Sequence, residues 1–231
     1  MRHLAVILLL TFSATFSGFA QQCENVYFPL EEGASYTLHH YKANGKLLAK
    51  FTHQVLSIAD SSGEKVATVQ VQGATKRSDV YFEGEYKVGC YTDVFIAGLL
   101  SWYYDPLWKK YADSERQLSA GRVILMNEEP GSELPNADLK VKLHDENFPL
   151  ALLTYRLTEL TVVGIDTLDF GDQQRECFRV HYKLTSATGP DPAYNQYHWC
   201  DAWFSSGIGV IRVEERNLKG VLVRYTERLA P

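Results

Sequence analysis

The stretch Cys177–Leu184, which reads CFRVHYKL, decides the fold class of this chain. Every second residue is apolar, as in an extended strand that buries one side against a core and leaves the other side to water. The apolar set is Phe178, Val180, Tyr182 and Leu184. The intervening set is Cys177, Arg179, His181 and Lys183. The stretch therefore predicts a half-buried strand of an antiparallel sheet.

The same alternation recurs on both sides of this stretch. It covers the segments 67–72, 138–143, 197–203 and 221–225. In the third segment Tyr197, Trp199 and Trp203 share one face, and we expect this face to point to the same core as the apolar set of Cys177–Leu184. Strands at short spacing with few helices between them indicate an antiparallel sheet rather than a βαβ arrangement.

A hairpin is indicated at Asn44-Gly45, between a strand that begins near Tyr36 and a return strand that runs toward Ile58. Glycine accepts a positive φ without a Cβ clash and asparagine tolerates one. The dipeptide therefore predicts a type I′ turn, which fits the twist of the flanking strands.

The middle of the chain is apolar and less regular. The spacing of Phe95 and Leu99 predicts a short helix within 94–108 that ends at Asp105-Pro106, and a second helical turn is expected over 108–118. The predicted fold class is mostly β, a single curved antiparallel sheet or partly open β-barrel with a short helical/aromatic insert. This insert would act as a lid or a plug.

The N-terminus indicates export. Met1-Arg2-His3 precedes a short apolar run that ends in small residues at Ala20. This pattern predicts a signal peptide over residues 1–20 and one β-rich domain over residues 21–231, located in the periplasm, outside the cell or in the cell envelope. The alternatives are a membrane anchor and a lipoprotein signal at Cys23. No transmembrane segment is expected in the mature chain.

The charge balance is mildly acidic, with 23 basic and 28 acidic residues and a formal net charge of −5. This balance argues against nucleic acid or an anionic membrane as a partner. Both signs are interspersed along the chain, as on an ordinary soluble surface.

Two disulfides are expected from the four cysteines, because an even number in an exported chain is typical of paired thiols. The cysteines are Cys23, Cys90, Cys177 and Cys200. The predicted strand faces put Cys177 and Cys200 on the same side, which leaves Cys23 for Cys90. A metal site is the alternative, but no pair has Cys-x-x-Cys spacing. We predict no metal and no cofactor.

An aromatic run in the insert is the predicted ligand-binding patch. It consists of Trp102, Tyr103, Tyr104 and Trp108. Such rings stack on sugars or cover an acyl chain. The alternative is that they plug the open side of the sheet as part of the core.

No familiar catalytic motif is present: the chain lacks His-Glu-x-x-His, Gly-x-x-x-x-Gly-Lys and Gly-x-Ser-x-Gly. We therefore assign no catalytic residue. A hydrolase remains the alternative if at least two of five side chains converge in a cleft. These are His144, Asp145, His181, His198 and Asp201. His181 and His198 are expected on one face of neighbouring strands.

Several segments together resemble an exported bacterial family of unknown function that is sometimes labelled TapB-like. The matching segments are Cys23 with Tyr27, Pro29-Leu30, Asn44-Gly45-Lys46, Gly131–Pro135, Val163-Gly164-Ile165 with Cys177-Phe178, and Trp203–Val210. The resemblance implies an exported, mostly β protein of a Gram-negative bacterium. It carries over no catalytic residue.

The sequence thus predicts an exported envelope or periplasmic protein that binds an apolar or amphipathic ligand, or serves envelope assembly with a protein partner. The alternatives are a hydrolase acting on envelope carbohydrate or lipid, and a purely structural secretion or surface-assembly component.

Overall fold

The computed structural model describes residues 27–61, 64–77, 79–91, 94–98, 115–120, 122–126, 129–145, 148–188 and 195–230. Thirteen strands and no helix lie within these ranges. In chain order the strands are β1 (Ser35–Lys42), β2 (Leu47–Ser61), β3 (Glu64–Thr75), β4 (Val80–Tyr91), β5 (Val94–Gly98), β6 (Glu115–Ala120), β7 (Arg122–Met126), β8 (Ala137–Asp145), β9 (Phe148–Phe170), β10 (Gln173–Thr188), β11 (Gln196–Ser205), β12 (Gly209–Arg216) and β13 (Leu222–Arg228).

All described strands belong to one antiparallel sheet in the order β6-β8-β9-β10-β11-β12-β13-β1-β2-β3-β4-β5-β7. The sheet curls into a half-barrel. The pairing of β1 with β13 joins the start and the end of the described chain at the centre of the sheet. The predicted fold class, a single curved antiparallel sheet, is therefore confirmed. The described residues form no helix long and apolar enough to cross a membrane.

The alternation that predicts β10 is confirmed by burial. Phe178, Val180, Tyr182 and Leu184 are each 2% exposed or less and belong to the main core on the concave face. Ala67, Val69 and Val71 of β3 are buried in the same core. The concave side of the half-barrel is thus lined by the apolar faces that the sequence pattern indicates.

The expected orientation of β11 is wrong. Tyr182 of β10 lies opposite Cys200, and opposed residues of an antiparallel pair share a face. The concave face of β11 therefore carries His198, Cys200 and Ala202, which are buried. The aromatic residues Trp199 and Trp203 lie on the convex face instead.

The predicted disulfide between Cys177 and Cys200 is also wrong, because both thiols are free and buried. Cys200 pairs with Tyr182, five positions along β10 from Cys177, which is roughly 17 Å of extended strand. A disulfide joins Cα atoms less than about 7 Å apart. Cys90 is disulfide-bonded, and its predicted partner, Cys23, lies outside the described residues.

Parts of the insert that were expected to be helical are strands. Val94–Gly98 is β5, paired with β4 on one side and β7 on the other. Glu115–Ala120 is β6, which pairs with β8. β-Branched and aromatic residues such as Val94, Phe95 and Ile96 favour a strand when two neighbours offer hydrogen bonds. Residues 99–114 between them lie outside the described part.

The hairpin at Asn44-Gly45 exists, but its turn is not type I′. Gly45 has a φ of 78°, and Asn44 is not among the residues with positive φ. The Gly45 amide donates to the Lys42 carbonyl at 2.9 Å, and the Lys42 amide donates to the Lys46 carbonyl at 2.9 Å. This is a type I turn followed by one left-handed glycine, the usual three-residue hairpin loop.

Candidate ligand-binding site

A second, smaller apolar cluster lies on the convex face, away from the main core. Its buried members are Cys177, Trp203 and Ile211. Leu168, Phe170 and Ile208 pack against them with partial exposure. The sheet therefore carries a small apolar cluster on its convex face in addition to the main core on its concave face.

Local irregularities of the strands create this cluster. The register of β11 against β12 shifts after Trp203, so that Ile211 is an extra residue between two paired positions. A bulge of this kind re-aims a side chain, and Ile211 joins the convex cluster while Val210 and Val213 belong to the concave core. Gly171, with a φ of 66°, forms the tight β9–β10 hairpin beside it.

A pocket of about 440 Å³ lies next to the convex cluster. We call it the end pocket. It is formed by the end of β9, by β12, and by the end of β13 with the two residues that follow it. Its apolar lining is Leu168, Phe170, Gly171, Ile211, Leu229 and Ala230. Its charged lining is Asp169, Arg212, Glu227 and Arg228. The volume lies within the range of about 300–1,000 Å³ that is typical of small-molecule sites.

The two arginines of the end pocket differ in their partners. Arg212 is neutralised, because its Nη1 lies 2.5 Å from a carboxylate oxygen of Glu227 and its Nε donates to Glu214 at 2.9 Å. Arg228 makes no ion pair with a carboxylate in the described part of the chain. Its guanidinium carbon lies 4.1 Å from the centre of the Tyr36 ring, and it donates to the carbonyl of Ile208.

Burial lowers the pKa of Arg228 below its usual value, against the opposing influence of Tyr36 and Tyr86. The side chain belongs to the concave side of β13, since Arg228 lies opposite the buried Leu38 of β1. It is therefore a largely buried cation at the rim of the core that also borders the end pocket. Such a group is costly to bury without a counter-charge.

Further along the convex face, charged groups lie over the tryptophans. Trp203 Nε1 donates to Asp166 Oδ2 at 2.8 Å, and the Arg179 guanidinium carbon lies 5.2 Å from the Trp203 ring centre. The ring of His181 stacks on Trp199 at 5.2 Å. Side chains from β9, β10 and β11 thus form one continuous polar and aromatic strip that starts at the end pocket.

The structure brings together two of the five side chains proposed for a hydrolase. His181 Nδ1 lies 3.1 Å from Asp201 Oδ1, and the same carboxylate oxygen accepts from Arg179 Nε at 3.1 Å. His198 does not join them: it lies on the concave face, with its Nδ1 4.0 Å from Glu215. The expectation that His181 and His198 share a face is wrong. In the observed register His198 lies opposite the buried Leu184, whereas His181 lies opposite Asp201 on the convex face. The side chains of His144 and Asp145 lie outside the described part.

The predicted ligand-binding run is Trp102, Tyr103, Tyr104 and Trp108, and it also lies outside the described residues. The end pocket, in contrast, was missed by the sequence reasoning. One signal was available: Arg224, Thr226 and Arg228 alternate on one side of β13. Polar residues on the buried face of a strand are exceptions to ordinary patterning and often mark function.

The concave core contains a buried polar group near Arg228. His53, which is fully buried, accepts from or donates to the Tyr86 hydroxyl through Nδ1 at 2.9 Å, and Tyr86 contacts the Tyr36 hydroxyl at 3.1 Å. Burial, together with the positive charge of Arg228, lowers the pKa of His53 to about 3. Burial raises the pKa of Tyr36 to about 12. These groups are thus neutral at ordinary pH.

Among the described residues, no group of three or more histidine, cysteine or acidic side chains is placed to hold a metal ion. The end pocket itself is built from an apolar wall and four charged residues.

The half-barrel resembles two crystal structures at low sequence identity. The first is a candidate lipoprotein from Parabacteroides distasonis, with a TM-score of 0.77 and 15% identity over 88% of this chain and 97% of that chain. The second is a candidate exported protein with a YmcC-like fold from Bacteroides fragilis, with a TM-score of 0.73 and 17% identity over 88% of this chain and 97% of that chain. At this identity the likeness establishes the fold alone.

Fold and site together define a class: a half-barrel of antiparallel strands with a packed concave core and a pocket at one end. The chain belongs to the DUF3108-like family, whose model matches residues 31–228. The resemblance to a family of unknown function is thus confirmed in its broad form, and the TapB-like label stays a prediction. No curated protein matches the sequence.

Proposed function

We propose that this protein is an exported binding protein of the cell envelope, and that its ligand is a small amphipathic molecule held in the end pocket. One observation carries the proposal: a pocket of about 440 Å³ combines an apolar wall with four charged residues. A wall of this kind buries a hydrocarbon segment, while the charged residues solvate or pair with a polar end.

The proposed location rests on two supports. Residues 1–20 have the pattern of a signal peptide. The two similar crystal structures are of proteins described as a candidate lipoprotein and a candidate exported protein. The periplasm or the cell surface is therefore the proposed compartment, and the TapB-like label, supported by the Trp203–Val210 segment, is part of the same proposal.

The aromatic run from Trp102 to Trp108 remains a proposed second contact for the ligand or for an envelope protein partner. Its test is separate from that of the end pocket. Replacement of Trp102 and Trp108 by leucine should weaken ligand binding if the rings line the site, and should leave it unchanged if they only pack against the protein.

Binding in the end pocket is tested with a matched pair of leucine variants. Leu229 lines the pocket and is 48% exposed, whereas Leu218 is 61% exposed and lies in the β12–β13 turn outside the pocket. Both tolerate a polar residue without loss of core packing. The probe is N-phenyl-1-naphthylamine, an uncharged apolar fluorophore, so that charge does not enter the comparison.

Leu229→Gln should weaken the binding of this probe by about tenfold, because one leucine contact contributes on the order of 1.5 kcal/mol. Leu218→Gln should leave the affinity unchanged. Equal affinities for both variants and the wild type, or no saturable binding by the wild type, would contradict the proposal.

The alternative function, hydrolysis of envelope carbohydrate or lipid, keeps one supporting contact, the His181–Asp201 pair. A carboxylate that orients a histidine is a common part of a general base. If the pair is catalytic, purified protein should cleave a chromogenic acetyl ester or glycoside and His181→Ala should abolish that cleavage. Equal residual rates for wild type and variant would exclude a role for the pair.

A further inference from the structure

Three hairpin turns lie side by side at one end of the sheet. The strands β12, β13, β1, β2, β3 and β4 are neighbours in that order, so the β12–β13, β1–β2 and β3–β4 hairpins turn at the same end. We call the segments 42–46, 76–80 and 217–221 together the basic end. The end pocket lies at the other end of β13, whose seven residues span roughly 23 Å of extended strand.

The basic end carries an excess of exposed positive charge. Its three segments contain five basic residues and one acidic residue. The basic residues, all of them exposed, are Lys42, Lys46, Lys76, Arg77 and Lys219. None of the five takes part in an ion pair within the part of the chain that the structure describes. The acidic residue, Asp79, accepts a hydrogen bond from the Thr75 hydroxyl at 3.2 Å.

The charge of the molecule is unevenly distributed along these strands. The segments 31–34 and 60–64, toward the opposite ends of β1, β2 and β3, contain four acidic residues and no basic residue. The net charge of −5, which argues against an anionic membrane as a partner, averages over both ends. Because salt screens charges beyond about 10 Å, the local excess at the basic end decides what that end attracts.

Exposed apolar side chains lie among these cations. Leu218 is 61% exposed, Val221 is 59% exposed and Val80 is 53% exposed. Such side chains gain free energy when they leave water for the interfacial layer of a bilayer. The β12–β13 turn presents its two in a fixed conformation, because the Asn217 side chain accepts hydrogen bonds from the backbone amides of Lys219 at 2.9 Å and Val221 at 3.1 Å.

We propose that the basic end docks on an anionic lipid membrane, with its cations at the lipid phosphates and with Leu218 and Val221 in the interfacial layer. The combination of groups favours this partner, because a bilayer binds both the cations and the apolar tips. A nucleic acid or a purely acidic polypeptide would engage the cations alone. Docking in this way directs the end pocket away from the bilayer.

The experiment measures co-sedimentation of the protein, purified from its own host, with vesicles of two compositions. One is phosphatidylcholine alone, and the other is an equimolar mixture of phosphatidylcholine with the anionic lipid phosphatidylglycerol. Wild-type protein should bind the anionic vesicles at least about tenfold more tightly than the neutral ones. This difference should shrink as the ionic strength rises. Soluble polyglutamate is added as a competitor that represents an acidic protein.

The contribution of charge is tested by two variants in different turns. Lys46→Gln and Lys219→Gln should each weaken binding to the anionic vesicles by about fivefold, the effect of one cation near an anionic surface. Both side chains are exposed and lack an ion pair, so the variants should fold. The matched control is Lys87→Gln, because Lys87 is exposed on β4 but lies seven residues beyond Val80. This control should bind like the wild type.

The contribution of the apolar tip is tested by a pair of leucine variants. Leu218→Gln should weaken binding to the anionic vesicles by about fivefold, because the side chain no longer favours the interfacial layer. Leu229→Gln, at the other end of β13, should leave this binding unchanged. The two variants have the opposite roles in the test of the end pocket, so the membrane proposal and the proposed binding function succeed or fail separately.

Three results would overturn the membrane proposal. The first is wild-type protein that binds neutral and anionic vesicles equally, or binds neither. The second is a Lys87→Gln variant as impaired as Lys219→Gln, since overall charge rather than the basic end would then control binding. The third is a Leu218→Gln variant that binds anionic vesicles like the wild type while polyglutamate displaces both proteins, which would indicate an acidic protein as the partner.

Discussion

The indole of Trp203 and the carboxylate of Asp166 are joined across the width of β10. Trp203 lies on β11 and Asp166 on β9, yet the Nε1–Oδ2 distance is 2.8 Å. The bond passes over Cys177, which is opposite Asp166 in the sheet and fully buried beneath the ring. The bond therefore links β9 to β11 over the convex apolar cluster, which forms one side of the end pocket.

Loss of this bond should destabilise the fold modestly. Asp166→Ala removes the acceptor of the nearly buried indole N–H, and we expect the free energy of unfolding to fall by about 1–2 kcal/mol. Asp169→Ala is the control, because Asp169 is on the same strand but exposed. Urea denaturation followed by tryptophan fluorescence measures both. Equal midpoints for the two variants would show that the bond contributes nothing.

The two free thiols should be unreactive in the folded protein. Burial raises the pKa of Cys177 to about 11 and raises that of Cys200 well above its usual value. Thiolate is the reactive form, so iodoacetamide should label neither cysteine until urea unfolds the chain. Peptide mapping without reductant gives the check. A peptide pair linked through Cys177 and Cys200 would overturn the strand register of β10 and β11.

Acid should destabilise the protein through its buried histidines. The pKa of His53 is lowered to about 3, and burial lowers that of His40 well below its usual value. Each is neutral in the fold but takes up a proton in the unfolded chain below pH of about 6.5. The contribution of His53 to stability is thus complete above that pH and is lost as the pH falls toward about 3, at up to about 1.4 kcal/mol per pH unit. The contribution of His40 is lost in the same direction of pH change.

The titratable and charged groups near His53 are His40 and Tyr36 of β1, Tyr86 of β4 and Arg228 of β13. His53→Gln keeps a hydrogen-bonding group beside Tyr86 but does not titrate. Between pH 5.5 and pH 4.5, its free energy of unfolding should decline with a slope smaller than that of the wild type by close to one proton. Urea titrations at several pH values give the slopes, and identical slopes would rule out His53 as the source.

Gly73 of β3 marks a place where the core has no room for a methyl group. A Cβ there would lie 2.7 Å from Cζ of the Phe51 ring, which is 2% exposed. Gly73→Ala should therefore lower the free energy of unfolding by about 1–3 kcal/mol through overpacking. Gln72→Ala, on the exposed side of the same strand, should change it little. Thermal denaturation of the pair is sufficient, and a stabilised Gly73→Ala would contradict the packing described.

The sequence pattern predicts the strands better than their orientation. Phe178 and Tyr182 alternate with polar residues, and burial follows that period. In β11 the face that packs on the core carries His198, Cys200 and Ala202, a set that from sequence alone would be assigned to the solvent face. The opposite face carries Trp199 and Trp203, which from sequence alone would be assigned to the core. The choice depends on the register against β10, a long-range relationship that one strand does not contain.

The end pocket lies beyond sequence reasoning for a similar reason. Leu168, Ile211 and Leu229 are far apart in the chain and meet only through the order of the strands and the bulge at Ile211. No motif marks them. Arg228 is the exception, because a charged residue on the buried side of an alternating strand is a local signal that something must compensate it.

Native mass spectrometry of protein purified from its own host tests the central claim most directly. Wild-type protein should carry a small amphipathic molecule as a discrete added mass, and the Leu229→Gln protein, prepared in the same way, should carry much less of it. Wild-type protein that is free of any such ligand and also fails to take one up on addition would contradict the account.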